Sequence, residues 1–115
     1  MSKSRPTKLL LEDIADSIFK IQKYVKDFDY LAFSESSLII DACVRNLEII
    51  GEACKLLPQE LKDQNSQIPW KDITATRNKL IHDYFGVNLD ILWAIIQDEL
   101  PQLIEEIKQL IKTQN

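Results

Sequence analysis

The stretch Ile39-Ile-Asp-Ala-Cys-Val-Arg-Asn-Leu-Glu-Ile-Ile-Gly-Glu-Ala-Cys-Lys-Leu-Leu-Pro58 places Ile40, Cys43, Leu47, Ile50, Cys54 and Leu57 three or four positions apart. That period winds an apolar stripe down one face of a helix, whereas a half-buried strand would alternate every second residue. The stripe runs for roughly six turns. Ser34 or Ser36 can cap its start, and Pro58 stops it by withholding an N–H.

The same period holds to either side. Leu11, Ile14, Ile18, Ile21 and Val25 predict an amphipathic helix from Thr7 to Asp27. The polar residues Lys62 to Gln67 predict a loop. Ile68-Pro-Trp70 restarts the chain, with Pro69 at a first helical position, and the third long helix should reach His82 or Tyr84 before Gly86 ends it. Asn88 or Asp90 can cap a fourth helix from Leu89 to Asp98. Pro101 should break or kink the run ahead of a last stripe at Leu103, Ile104, Ile107, Leu110 and Ile111. The expectation is an all-α antiparallel bundle of four to five helices, forming one domain over residues 1–115 with 1–6 flexible.

Composition agrees. With 45% apolar residues the chain can build a core, and with two Gly and four Pro it lacks the turns an all-β fold requires. Cys43 and Cys54 share one helix face but lie about 16 Å apart along the axis, too far to bridge. Free core thiols suit a reducing cytosol; no signal peptide and no membrane span is legible, so the expected location is cytoplasmic. A net charge of −4 argues against a protein that coats nucleic acid through bulk positive charge, so any RNA must be held by a local site.

Chemistry concentrates in Arg77-Asn-Lys-Leu-Ile-His-Asp-Tyr84. On a helical wheel Trp70, Ile73, Arg77, Leu80 and Tyr84 fall within a stripe about 80° wide. A guanidinium there needs a carboxylate, a carbonyl or a phosphate ligand to offset its desolvation. A core-edge ion pair with a neighbouring helix would satisfy it as well as a substrate would. His82 is the sole histidine, and so the sole side chain whose ordinary pKa suits proton transfer near neutrality. A helix-capping or surface role is the alternative. Asn78, four positions earlier, shares its face. Glu48 and Glu52 with Arg45 read as a solvated charge row. No cluster has metal-ligand spacing, and neither Gly51 nor Gly86 belongs to a phosphate-cradling loop.

The segment 77–84 matches the R-x4-H-x-Y signature of HepT-like toxins in the HEPN superfamily. The likeness widens to Arg45-Asn-Leu-Glu-Ile-Ile-Gly-Glu-Ala53, Ile68-Pro-Trp70, Phe85-Gly-Val-Asn88, Trp93 and Leu100-Pro101, covering most of residues 7 to 112 in the family's order. Thr74-Ala-Thr76 departs from it, since relatives often carry Gly just before the Arg. The resemblance implies a dimerising bundle that cleaves RNA without metal or other cofactor, with Arg77 and His82 catalytic and Asn78 secondary. It also implies a toxin–antitoxin system of the type VII kind. The partner would be an MntA-like nucleotidyltransferase antitoxin that silences the toxin by adding AMP to Tyr84. A non-catalytic HEPN module binding a nucleotide or a partner, or a plain dimerisation subunit, are the rival readings.

Overall fold

The structure, a computed structural model, describes residues 5–82 and 88–114, with the side chains of 77–82 excepted. Its elements are α1 (Thr7–Val25), α2 (Tyr30–Ser34), α3 (Ser37–Leu56), α4 (Gln59–Gln64), α5 (Trp70–His82), α6 (Leu89–Ala94), a π-helical turn (Ile95–Glu99) and α7 (Leu100–Lys112). No strand occurs among the described residues. The all-α expectation holds.

Helix α3 forms where its stripe was read. Its cap is Ser36, whose Oγ accepts the Ile39 N–H at 3.3 Å, and its Cys43, Leu47, Ile50 and Cys54 are buried. Ser34 instead closes α2, donating its hydroxyl to the Leu31 carbonyl. Helix α3 packs against both α1 and α5, and α7 packs against α1. Residues of α3, α5 and α7 also line one shared cavity, so the four long helices close into a bundle rather than a row. Leu11, Ile14, Ile18 and Ile21 of α1, Ile50 of α3 and Ile107 of α7 are almost wholly removed from water. At about 1.5–3 kcal/mol for each such side chain, this core is the main favourable contribution to the fold.

Three expectations need correction. Helix α2 escaped notice because five residues are too few to show a stripe; Asp29 starts it by accepting the Ala32 N–H at 2.8 Å. Lys62, Asp63 and Gln64 belong to α4 rather than to a loop. That helix has no buried residue, so no hydrophobic pattern announced it, and Pro58 presets its entry. Pro69 stands just before α5, not within it, and its carbonyl accepts the Ile73 N–H.

Of the break or kink expected at Pro101, the break does not occur. Asn88 caps α6, its Oδ1 accepting the N–H groups of Asp90 and Ile91, and the chain continues helically through the π turn into α7. A proline in a helix interior withholds an N–H and collides with the carbonyl four residues earlier. The wider π turn, Ile95–Glu99, holds Gln97, the residue four before Pro101, where it relieves that collision. Trp93 ties α6 to α2, its ring 4.8 Å from Phe33 and 6.2 Å from Tyr30. The expected stop at Gly86 lies outside the described residues. No helix among those described is long and apolar enough to cross a membrane.

Candidate functional site

Helix α5 carries the segment singled out by the sequence, and its start is firmly anchored. Ile68 and Trp70 are buried, and the indole Nε1 donates to the Asn65 carbonyl at 3.1 Å. Asp72 lies in the first turn, where a carboxylate favours the positive end of the helix dipole. Thr76 donates its hydroxyl back to the Asp72 carbonyl at 2.9 Å. Arg77, Asn78 and His82 occupy the last two turns of the α5 backbone, and their side chains lie outside the described residues. Tyr84 lies outside them altogether.

Backbone register alone separates two faces of α5. At 100° per residue, Lys71, Thr74, Ala75, Asn78 and His82 occupy one sector about 100° wide. Ile73, Thr76, Arg77 and Leu80 occupy another of similar width. Arg77 and His82 are thus about 140° and 7.5 Å apart along an ideal helix. Each face opens, at its N-terminal end, onto a different cavity.

The first cavity, of about 300 Å³, lies where α5 and α7 part. Leu47, Ile50, Ile73, Ile95 and Leu103 give it an apolar lining, and Asp98, Glu99 and Glu106 line it too. Those carboxylates repel phosphate. The second, a basin of about 630 Å³, is lined by Lys55 of α3, Lys62 of α4 and Lys71 of α5, together with Asp63, Asp72 and Trp70. Sequence reading missed these lysines. They are spread over three helices with polar residues between, so no linear signature marks them.

Thiol chemistry is closed to this chain under neutral conditions. Burial pushes the Cys43 thiol up to about 12, and the Cys54 thiol likewise, with Lys62 opposing the shift slightly. Neither forms thiolate near neutrality. The Tyr30 phenol is also raised, chiefly by its interaction with Asp90 and then by burial. Arg45 pairs with Glu48 at 3.7 Å, as the charge row required. Among the described residues no group of His, Cys, Asp and Glu is placed to hold a metal ion.

The model of a family described as HepT-like, ribonuclease HepT-like, matches residues 14–110, from the middle of α1 to the last turns of α7. The chain belongs to the HepT-like ribonuclease family. A protein of Caldanaerobacter subterraneus subsp. tengcongensis, provisionally named an RNase, is 41% identical over 102 residues, which are 89% of this chain and 91% of that protein. A Thermococcus cleftensis protein named a probable ribonuclease HepT is 37% identical over 108 residues, 94% of this chain and 98% of the other. A Methanocaldococcus jannaschii protein, named a gamma-glutamylcyclotransferase and provisionally an RNase, is 39% identical over 108 residues. There the match covers 94% of this chain but 49% of the relative. No solved structure matches the chain. The HepT-like match contains all of α5 and the whole segment from Arg77 to Tyr84.

Proposed function

We propose that this HepT-like chain is a ribonuclease toxin that cuts RNA internally, without metal, through Arg77 and His82. The observation that carries the reading is membership of a ribonuclease family over a match that spans the Arg77–Tyr84 segment. The relatives named as RNases support it, as does the chemistry of the residues.

In the proposed reaction a ribose 2'-oxygen attacks the adjacent phosphorus, forming a P–O2' bond while the P–O5' bond breaks. A base takes the 2' proton and an acid supplies one to the departing 5' oxygen, leaving a 2',3'-cyclic phosphate. His82 serves as base or acid. Arg77 balances the charge that develops on the phosphorane oxygens, and Asn78 orients the groups around it. Because Arg77 and His82 lie on different faces of α5, we place the reaction in a homodimer, where a two-fold axis brings two copies of the segment to one cleft.

The antitoxin is proposed to be an MntA-like nucleotidyltransferase. The Tyr84 phenol oxygen would attack the α-phosphorus of a nucleoside triphosphate, lose its proton and expel pyrophosphate, leaving AMP on the tyrosine. The added phosphodiester brings about one negative charge and would compete with substrate for Arg77.

The test is cleavage of a labelled RNA pool by Arg77→Ala and His82→Ala proteins, with circular dichroism run alongside. Each substitution should lower cleavage by at least about a hundredfold, the contribution expected of general acid–base or oxyanion groups, with helicity retained. Products should carry cyclic phosphate ends and form equally in a chelator. A His82→Ala protein that cuts at the wild-type rate sinks the mechanism. The net charge of −4 favours, as a second reading, a non-catalytic nucleotide-binding module; nucleotide binding without any cleavage would select it.

A further inference from the structure

We propose that the basin lined by Lys55, Lys62 and Lys71 holds the phosphodiester backbone of single-stranded RNA a few nucleotides from the bond that is cut. The inference rests on the ribonuclease reading and adds to it the surface along which substrate runs. Three helices bring one ammonium each to a basin of about 630 Å³, although the chain as a whole is acidic. Lys62 is half-buried and held in place, its Nζ donating to the Cys54 carbonyl at 3.1 Å, which leaves two of its three N–H groups for a ligand. Among the described residues neither Lys55 nor Lys71 has an ion-pair partner. Asp63 also lines the basin but is engaged by the Gln59 amide at 2.9 Å, and Asp72 sits over the positive end of α5.

Direction along α5 links the basin to the reaction. Lys71, Thr74 and Ala75 line it, and the same helical face continues in register to Asn78 and His82. Lys71 to His82 is about 16 Å along the axis, a distance that a few nucleotides cover. The cavity on the opposite face cannot serve, because Asp98, Glu99 and Glu106 line it with negative charge. Phosphate contacts of this kind position a strand without reading its sequence.

The experiment compares the wild type with a Lys55→Ala/Lys71→Ala double variant and a Lys20→Ala/Lys23→Ala control, which removes two charges from the exposed side of α1. Steady-state cleavage of a long mixed-sequence single-stranded RNA and of a trinucleotide is measured across a range of salt. Binding of the long RNA is measured separately on His82→Ala protein with and without the double substitution. Loss of two phosphate contacts should raise KM for long RNA by at least about tenfold near physiological salt and flatten the log–log salt slope by about 1.4. The fall in kcat should be much smaller, and the preference for long RNA over the trinucleotide should collapse. Lys55→Arg/Lys71→Arg should restore both. Equal KM and slope in the double variant and the wild type would overturn the proposal, as would an equal loss in the α1 control. If the wild type neither binds nor cuts any RNA, the ribonuclease reading itself falls and the basin's role goes with it.

Discussion

Cys43 and Cys54 are inert for a reason visible at single-residue scale: each thiol is enclosed by the core, and its ionised form would have to be buried with it. Their folded pKa, about 12, lies above the ordinary 9.0. The stabilisation this represents is complete below the unfolded value and is lost as pH rises through the folded one. Native protein near pH 8 should therefore react slowly with a disulfide reagent while urea-unfolded protein reacts at once. Thermal stability should decline as pH climbs past about 9. Rapid labelling of both thiols in the native protein would mean that the core opens readily. Tyr84 presents the opposite case, a residue proposed to be modified. Tyr84→Phe should keep much of the cleavage activity, since the phenol is neither acid nor base in the scheme, yet resist silencing by the antitoxin. Mass spectrometry of the co-expressed pair checks this directly, and an unmodified Tyr84 in fully silenced toxin would point to physical blocking instead.

At the scale of elements, helix ends decide how the segments connect. Asn88 accepts two N–H groups at 2.9 and 3.2 Å, so it both starts α6 and fixes where the chain re-enters the core after α5. Asn88→Ala should cost about 1 kcal/mol, read in a thermal melt as a fall of roughly 4 °C for a chain of this size. No change in melting would mean that water replaces the cap at no cost. The junction of the π turn with α7 follows a different logic. A proline reads locally as a break, but Leu100, Leu103 and Ile104 must all be buried, and a widened turn meets both demands. Helix α4 inverts this case, since none of its residues is fully buried and it is tied down by the partly buried Leu61 and by Lys62 reaching the Cys54 carbonyl near the end of α3.

For the whole molecule, the proposed consequence of α5's two faces is a homodimer. If the proposed site draws Arg77 from one subunit and His82 from the other, mixing inactive Arg77→Ala with inactive His82→Ala protein should recover up to one intact site per heterodimer. Cleavage assays on heterodimers verified by mass should then regain a sizeable fraction of wild-type activity, whereas no recovery would rule out cross-chain sharing. The long helices were legible in advance because Leu11, Ile14, Ile18 and Ile21, and Cys43, Leu47, Ile50 and Cys54, repeat at the helical period, and that period depends only on backbone geometry. Arg77 and His82 stood out as candidates on charge and titration chemistry, properties of the side chains themselves. Local sequence could not reveal that Ser36 rather than Ser34 caps α3, that Pro101 lies inside a continuous run, or that Lys55, Lys62 and Lys71 meet at one basin. Each of those depends on where another helix lies. The hydrophobic pattern specifies which face of a helix turns inward, while the neighbours met there, and so the shape and charge of every cavity, are set only when the helices pack.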